Sequence, residues 1–453
     1  MVLKSINPYN GELINVSEEL TDNKIENLLI QSNIAFGKWK RTKPDFRRNL
    51  IETVAGLLRE NIDEYALCIT SEMGKPVKES RAEVEKCAWI CEYYAENAER
   101  FLADEPVQTD ADISRIHYEP LGTILGIMPW NFPFWQVFRF AVPTIMAGNT
   151  VVLKHASNVQ ASANKIEDIF TGAGFPSSVF RNLVLGSGRM EKIIKHQYIN
   201  AVSVTGSAAA GQKIAGITGL GIKKTLLELG GSNAFIVFED ADLQKAAETG
   251  IRARMQNAGQ SCIAAKRFII HEKVNGQFID LFLEGMRNIK IGDPGEENTE
   301  MGPLASIEQA DIVENQVRRS VNMGATLVEG GIREKAFYTP ALLINVQPGM
   351  PVFDEEVFGP VAPVSVFKRT EEALSLANET KFGLGVSVFT KNLDKARDLV
   401  SEFHDGAVFI NSMVKSDPRL PFGGTGNSGY GRELGIFGIR EFVNVKTVFI
   451  NKT

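Results

Sequence analysis

Residues 149–156, "NTVVLKHA", and residues 202–211, "VSVTGSAAAG", decide the fold. Each begins as a short apolar strand, turns, and passes into a helical pattern. The first runs into "NVQASANKIEDIFTGAGF", a helix ending at glycine. Between the two lie "RNLVLGSG", read as a strand, and "RMEKIIKHQYI", read as a helix. After them come helix "AAAGQKIAGITGLG" and strand "KKTLLELGG". Repeated β–α units with short apolar strands predict a parallel sheet covered by helices on both faces. In outline this is a dinucleotide-domain pattern.

A second series starts at "NAFIVFEDADLQKAAETGIRARMQNAG" and continues with strand "KRFIIH" and a helix over 273–288. Further strand candidates are "ATLVEGG", "ALLINV", "APVSVFK" and "GVSVFT", with helices expected over 371–378 and 392–402. Residues 21–104 read mainly as helices, from apolar spacings of three and four. Residues 112–127 read as a strand pair or a long bent ribbon. No fixed-period repeat or low-complexity linker interrupts the chain. The expectation is two closely packed α/β domains, in keeping with 453 residues, too many for one core.

Composition narrows the function. Hydrophobic residues at 44% and charged residues at 23% are ordinary for a globular protein. A net charge of −6 without a basic tract argues against nucleic-acid partners. The N-terminal stretch lacks the apolar segment of a secretory signal. The most apolar region, 121–153, is broken by Pro129, Pro133 and Pro143 and holds Arg139, so it reads as core rather than membrane span. Four cysteines make no disulfide framework, and Cys68, Cys87 and Cys91 read as buried helix residues. Five histidines, none paired at ligand spacing, give no metal site. A reducing, cytoplasmic setting is expected.

Several residue patterns carry chemistry, and each admits a plainer reading. Gly206 and Ser207 form a turn at a helix start, which suits a phosphate, although such glycines also serve packing alone. Glu228 in "LLELGG" is a carboxylate at an apolar strand end. Desolvation would raise its pKa toward that of a general base, but a buried cation could instead neutralise it. Cys262 in "NAGQSC" follows a tight turn whose amides favour a thiolate, yet a lone cysteine is often a small core residue. Asn131, set among aromatics in "IMPWNFPFWQVFRF", could donate to a developing oxyanion or simply bond to backbone. Arg139 either pairs with a structural carboxylate or holds an anionic substrate group.

Taken in order, "PWNFP", "VVLKHAS", "TGSAAAG", "LLELGG", "NAGQSC", "EEVFGPV" and "PFGGTGNSGYGREL" resemble the aldehyde dehydrogenase superfamily over essentially the whole chain, and succinate-semialdehyde dehydrogenases most. The resemblance implies Cys262 as nucleophile, Glu228 as general base, and Asn131 with the Cys262 amide as oxyanion hole. It implies a cofactor site with Lys154 on the adenosine ribose, Gly206 and Ser207 by the pyrophosphate, Glu356 and Phe358 at the nicotinamide ribose and ring, and Trp130 alongside. The family fold implies a Rossmann-like nucleotide-binding domain over 1–102 and 121–229, a catalytic domain over 230–425, and a β-ribbon over 103–120 and 437–453. That ribbon implies a homodimer or a dimer of dimers.

Three departures refine the expectation. Ser157 stands where many NAD-preferring members carry a glutamate that repels a 2′-phosphate, so NADP should be accepted, with NAD the other candidate cofactor. Arg139 stands where succinate-semialdehyde dehydrogenases place an arginine for the substrate carboxylate. Arg419 and Lys415 lie near the expected mouth, and Gln256 replaces an arginine some members carry. Ala264 replaces a second cysteine, so no local redox switch is expected. Trp135 and Phe134 could line an apolar tunnel, which keeps a general aliphatic or aromatic aldehyde dehydrogenase in view. A non-catalytic protein on the same fold is the remaining alternative.

Overall fold

The computed structural model describes residues 2–452. Four helices, Asp22–Trp39, Pro44–Glu60, Ile62–Met73 and Val77–Phe101, follow an antiparallel pair of strands, Val2–Ile6 and Leu13–Glu18. The longest helix buries Val84, Cys87, Ala88, Cys91 and Tyr94 at three- and four-residue spacings.

Two sheets organise the rest. The first has six strands in the spatial order Gly429–Tyr430, Lys224–Glu228, Ile199–Thr205, Thr123–Met128, Thr150–His155, Phe180–Asn182. All neighbours are parallel except the first pair. Chain order reverses at Thr123–Met128, which makes its carboxyl end the topological switch point where ligands bind such sheets. Pro129–Asn131 leave from that strand, and Gly206–Ser207 leave from its neighbour.

The second sheet has seven strands in the order Thr326–Glu329, Ala341–Ile344, Val361–Phe367, Ala265–His271, Asn233–Val237, Val386–Phe389, Val408–Ile410. Only Thr326–Glu329 runs antiparallel to its neighbour. Four residues carry the chain from Glu228, at the carboxyl end of one sheet, to Asn233, at the amino end of a strand in the other. The carboxyl edge of the first sheet therefore faces the amino edge of the second, and the loops between them converge.

A three-stranded ribbon pairs Ile113–Pro120 with Val443–Ile450 in unbroken antiparallel register and with Glu105–Pro106 on its other side. The stretch read as a strand pair or a long bent ribbon over 112–127 thus divides between sheets. It breaks at Leu121–Gly122, where Gly122 sits at φ 147° and a Cβ would stand 2.1 Å from Asn200 Oδ1. The carboxyl-terminal ribbon strand also starts later than 437. Gly435–Arg440 forms a short helix, pinned by the Tyr94 hydroxyl donating to the Gly435 carbonyl at 2.9 Å. No helix among the described residues is long and apolar enough to cross a membrane.

Candidate active site

The turn before Cys262 is strained by design of its surroundings. Asn257 and Ala258 adopt left-handed φ values of 53° and 51°, followed by Gly259 at 75°. Left-handed non-glycine residues persist only where neighbours hold them. Here the Asn257 amide donates to Glu79 at 2.9 Å, and its side chain donates to the carbonyls of Asn131 at 2.8 Å and Gln260 at 3.1 Å. A Cβ at Gly259 would fall 2.3 Å from the Gly359 carbonyl oxygen, so only glycine passes there.

Asn131 is almost wholly buried, and two bonds orient its amide. Nδ2 donates to the Gln260 carbonyl at 3.1 Å, and Oδ1 accepts from Gln136 Nε2 at 3.0 Å. An amide nitrogen carries two protons, so one stays free to donate toward the cleft. The helix that follows, Trp135–Met146, is set by Glu83, whose carboxylate accepts from the amides of Phe134 at 2.9 Å and Trp135 at 3.0 Å. Glu83 is ion-paired in turn with buried Lys75, whose ammonium lies 3.8 Å from the Phe132 ring centre.

Cys262 lies where two cavities meet. One, of about 280 Å³, is lined by Trp130, Asn131, Gly206, Ser207, Glu356 and Phe358. The other, of about 370 Å³, is lined by Lys86, Trp135, Arg139, Arg252, Lys415 and Phe422. Cys262 and Gln136 border both. Burial pushes the thiol up to about 11, against the opposing charges of Arg139 and Lys266. Desolvation is the largest influence on this thiol.

Glu228 ends its strand nearly fully buried, and its Oε1 has no hydrogen-bond partner among the described residues. Burial first, and the nearby Glu433 carboxylate second, hold its carboxyl well above the ordinary value of 4.5, while Arg139 opposes them. Among the described residues no cation forms an ion pair with it.

The first cavity has the features of a dinucleotide site. Gly206 has open space where a Cβ would stand. Ser207 caps the helix Ala208–Leu220 by accepting from the Ala210 amide at 3.3 Å, and the amides of Ala208 and Ala209 have no intrahelical acceptor. Trp130 and Phe358 meet edge to face at 5.8 Å between ring centres. Glu356 accepts on Oε1 from the Gly231 amide at 3.1 Å and from Lys266. Lys154 and Ser157 lie at and just beyond the end of strand Thr150–His155, on the same sheet edge but outside the cavity wall. Lys154 is buried without an ion-pair partner among the described residues. These donors and the paired aromatics fit a phosphorylated dinucleotide.

The substrate-side residues divide. Trp135 and Arg139 stand in the wall of the second cavity. Arg139 is 2% exposed, ion-paired with Glu433, and stacked 4.6 Å from the Phe422 ring centre, so it already has a structural carboxylate partner. Arg419 lies outside this wall. Its guanidinium pairs with Asp417 at 2.7 Å and lies over Trp89. Sequence reading missed Lys86, Glu433 and Lys266. Lys86 carried a signal: Glu79, Glu83 and Lys86 recur at helical spacing beside the buried face of their helix.

The aldehyde dehydrogenase family profile matches residues 1–448. The chain belongs to the aldehyde dehydrogenase family. It is 45% identical to a probable succinate-semialdehyde dehydrogenase [NADP(+)] of Synechocystis, over 99% of this chain and 100% of that protein. It is 43% identical to the succinate semialdehyde dehydrogenase [NAD(P)+] Sad of Escherichia coli, over 98% of this chain and 97% of that one. A crystal structure of succinic semialdehyde dehydrogenase from Streptococcus pyogenes with NADP+ superposes at TM-score 0.97 and 34% identity, covering 99% of this chain and 100% of that chain. The α/β architecture described above is the aldehyde dehydrogenase fold, with an NADP+ complex among its solved relatives.

Proposed function

We propose that this aldehyde dehydrogenase oxidises succinate semialdehyde to succinate, with NADP+ preferred over NAD+. One observation carries the substrate: the cavity on the far side of Cys262 is walled by the cations Lys86, Arg139, Arg252 and Lys415, against the acids Glu79 and Glu83. An excess of positive charge in a concave, partly dry site favours an aldehyde that carries a carboxylate. The names of the relatives point the same way.

The chemistry follows from the side chains. Glu228, held above the ordinary carboxylate range, accepts the thiol proton and leaves Cys262 as a thiolate that adds to the aldehyde carbon. The oxyanion forms where Asn131 Nδ2 and the Cys262 amide can donate to it. A bound nicotinamide cofactor supplies the hydride acceptor, and an acyl thioester remains on Cys262. Once the thiol proton has passed from Glu228 to solvent, the regenerated carboxylate takes a proton from water, the water oxygen bonds to the acyl carbon, and Cys262 leaves as thiolate. Gly206, Ser207, Lys154, Ser157, Glu356, Phe358 and Trp130 would hold the cofactor. Ser157 puts no carboxylate where a 2′-phosphate would lie, which supports NADP+.

The six-stranded sheet with 1–102 and 121–229 serves as the nucleotide-binding unit, and 230–425 as the catalytic unit. The exposed edge of Val443–Ile450, with Val445, Phe449 and Ile450 uncovered, supports a homodimer or dimer of dimers formed through the ribbon. Cytoplasmic residence fits free cysteines.

The test follows reduced-cofactor absorbance with succinate semialdehyde, hexanal and benzaldehyde, each with NADP+ and NAD+. The highest kcat/KM is expected for succinate semialdehyde with NADP+. A higher value for hexanal or benzaldehyde favours the second reading, a broad-specificity enzyme, to which Phe132, Trp135 and Phe422 in the cavity wall lend support.

A further inference from the structure

We infer that Lys86, beside the Glu433-paired Arg139, supplies a charge that docks the substrate's distal carboxylate. This rests on the proposed preference for a carboxylated aldehyde and names a further residue that contributes to it.

The argument is one of charge balance within the cavity. Arg139 is matched by Glu433. Glu83 on the same helix as Lys86 is engaged by Lys75 and two backbone amides. Asp417, on the opposing loop, is bonded by Arg419. Glu79 accepts the Asn257 amide, and burial pushes its carboxyl up to about 7. Each nearby acid is thus engaged elsewhere. Cys87, also close, is a neutral thiol, because burial holds it well above its ordinary value. Arg252 and Lys415 are exposed at the mouth, where water screens them. Among the described residues of this wall, Lys86 combines half-burial, a place beside Cys262, and a charge without a carboxylate partner.

Its ammonium is also positioned. Nζ donates to Ser416 Oγ at 2.7 Å and lies 4.2 Å from the Trp135 ring centre. Those contacts use one of its three protons and fix the direction of the others. Burial, reinforced by Arg139, lowers its pKa to about 8. An anion in the cavity would reverse that trend, so substrate binding and Lys86 protonation are linked.

The experiment compares KM for succinate semialdehyde with KM for butanal in the NADP+-supplied holoenzyme, across pH 6.5 to 9.5, for the wild type, Lys86→Gln and Lys86→Arg. In the wild type the ratio of the two KM values should rise above about pH 8, approaching roughly tenfold per pH unit as Lys86 deprotonates. Taking the ratio cancels titration of Cys262 and Glu228, which act on both substrates. Lys86→Gln should raise the ratio at pH 7 by roughly tenfold or more and flatten its pH dependence, while Lys86→Arg should keep the low ratio to higher pH. The wild-type profile needs no variant, so it decides the matter even if Lys86→Gln fails to fold. A wild type that prefers succinate semialdehyde with a flat ratio overturns the role of Lys86 and leaves the substrate intact. A wild type with no such preference overturns both.

Discussion

Lys266 donates to Glu356 Oε1 at 2.7 Å, and the same ammonium reaches the carbonyls of Cys262 at 3.0 Å and Gly231 at 2.7 Å. One buried cation therefore joins the Cys262 backbone, the loop after Glu228, and Glu356. Charge-assisted hydrogen bonds contribute about 1.5–3 kcal/mol each. Lys266→Met should raise KM for NADP+ by roughly tenfold to a hundredfold, with a smaller change in KM for the aldehyde. Cofactor titration by protein fluorescence checks the first part, and steady-state kinetics the second.

Glu228→Gln should separate the two halves of the reaction. Without a base to activate water, steady-state turnover should fall by roughly a hundred- to ten-thousandfold. A burst of reduced cofactor should survive in stopped flow at alkaline pH, where the thiol ionises unaided. Full steady-state turnover in this variant would remove Glu228 from deacylation.

The same carboxyl ties stability to pH. Its folded pKa lies above 4.5, so the folded state binds the proton more tightly than the unfolded chain. Stability from this group is complete below about 4.5 and is lost as pH rises through the folded value. The glutamine variant carries no such penalty. Glu228→Gln should therefore melt at a higher temperature than the wild type at pH 8, and the gap should narrow toward pH 5, as followed by scanning fluorimetry.

Asn131→Ala removes the side-chain donor to the oxyanion. The expected loss in kcat is roughly a hundred- to a thousandfold. The variant also removes the bonds to Gln260 and from Gln136, so circular dichroism and cofactor binding should be measured beside the rate.

Ser157→Glu places a carboxylate where a 2′-phosphate would lie. The ratio of kcat/KM for NADP+ over NAD+ should fall by about tenfold or more. An unchanged ratio would show that another residue sets cofactor choice.

What the sequence disclosed depended on how local each signal was. Glu228, Asn131 and Cys262 were legible because each lies in a short motif, and all three turned out to border the junction of the two sheets. Strand and helix positions followed from periodicity, and the helix expected over 371–378 is Thr370–Asn378. Arg139 was legible as a functional candidate, but its partner Glu433 lies almost three hundred residues away, and no periodicity reports such a pair. Lys86 shares a helical spacing with Glu79 and Glu83, but spacing alone does not show that their face lines a cavity. Arg419 was placed near the mouth by its position in sequence, and its ion pair with Asp417, two residues away, was not read there. The strand Val443–Ile450 follows a short helix, Gly435–Arg440, whose bond from Tyr94, far upstream, no local pattern reports.

The left-handed pair Asn257 and Ala258 bears on the order of assembly. Its retaining bonds come from Glu79 on an early helix, from Asn131 on the first sheet, and from Gln260 within the turn. An isolated second domain lacks two of these three, and its turn is free to relax to ordinary dihedrals. A partly folded chain thus carries Cys262 as a common thiol, and the reactive arrangement comes into being only when both sheets have docked. During refolding, catalytic activity should return after the secondary structure does.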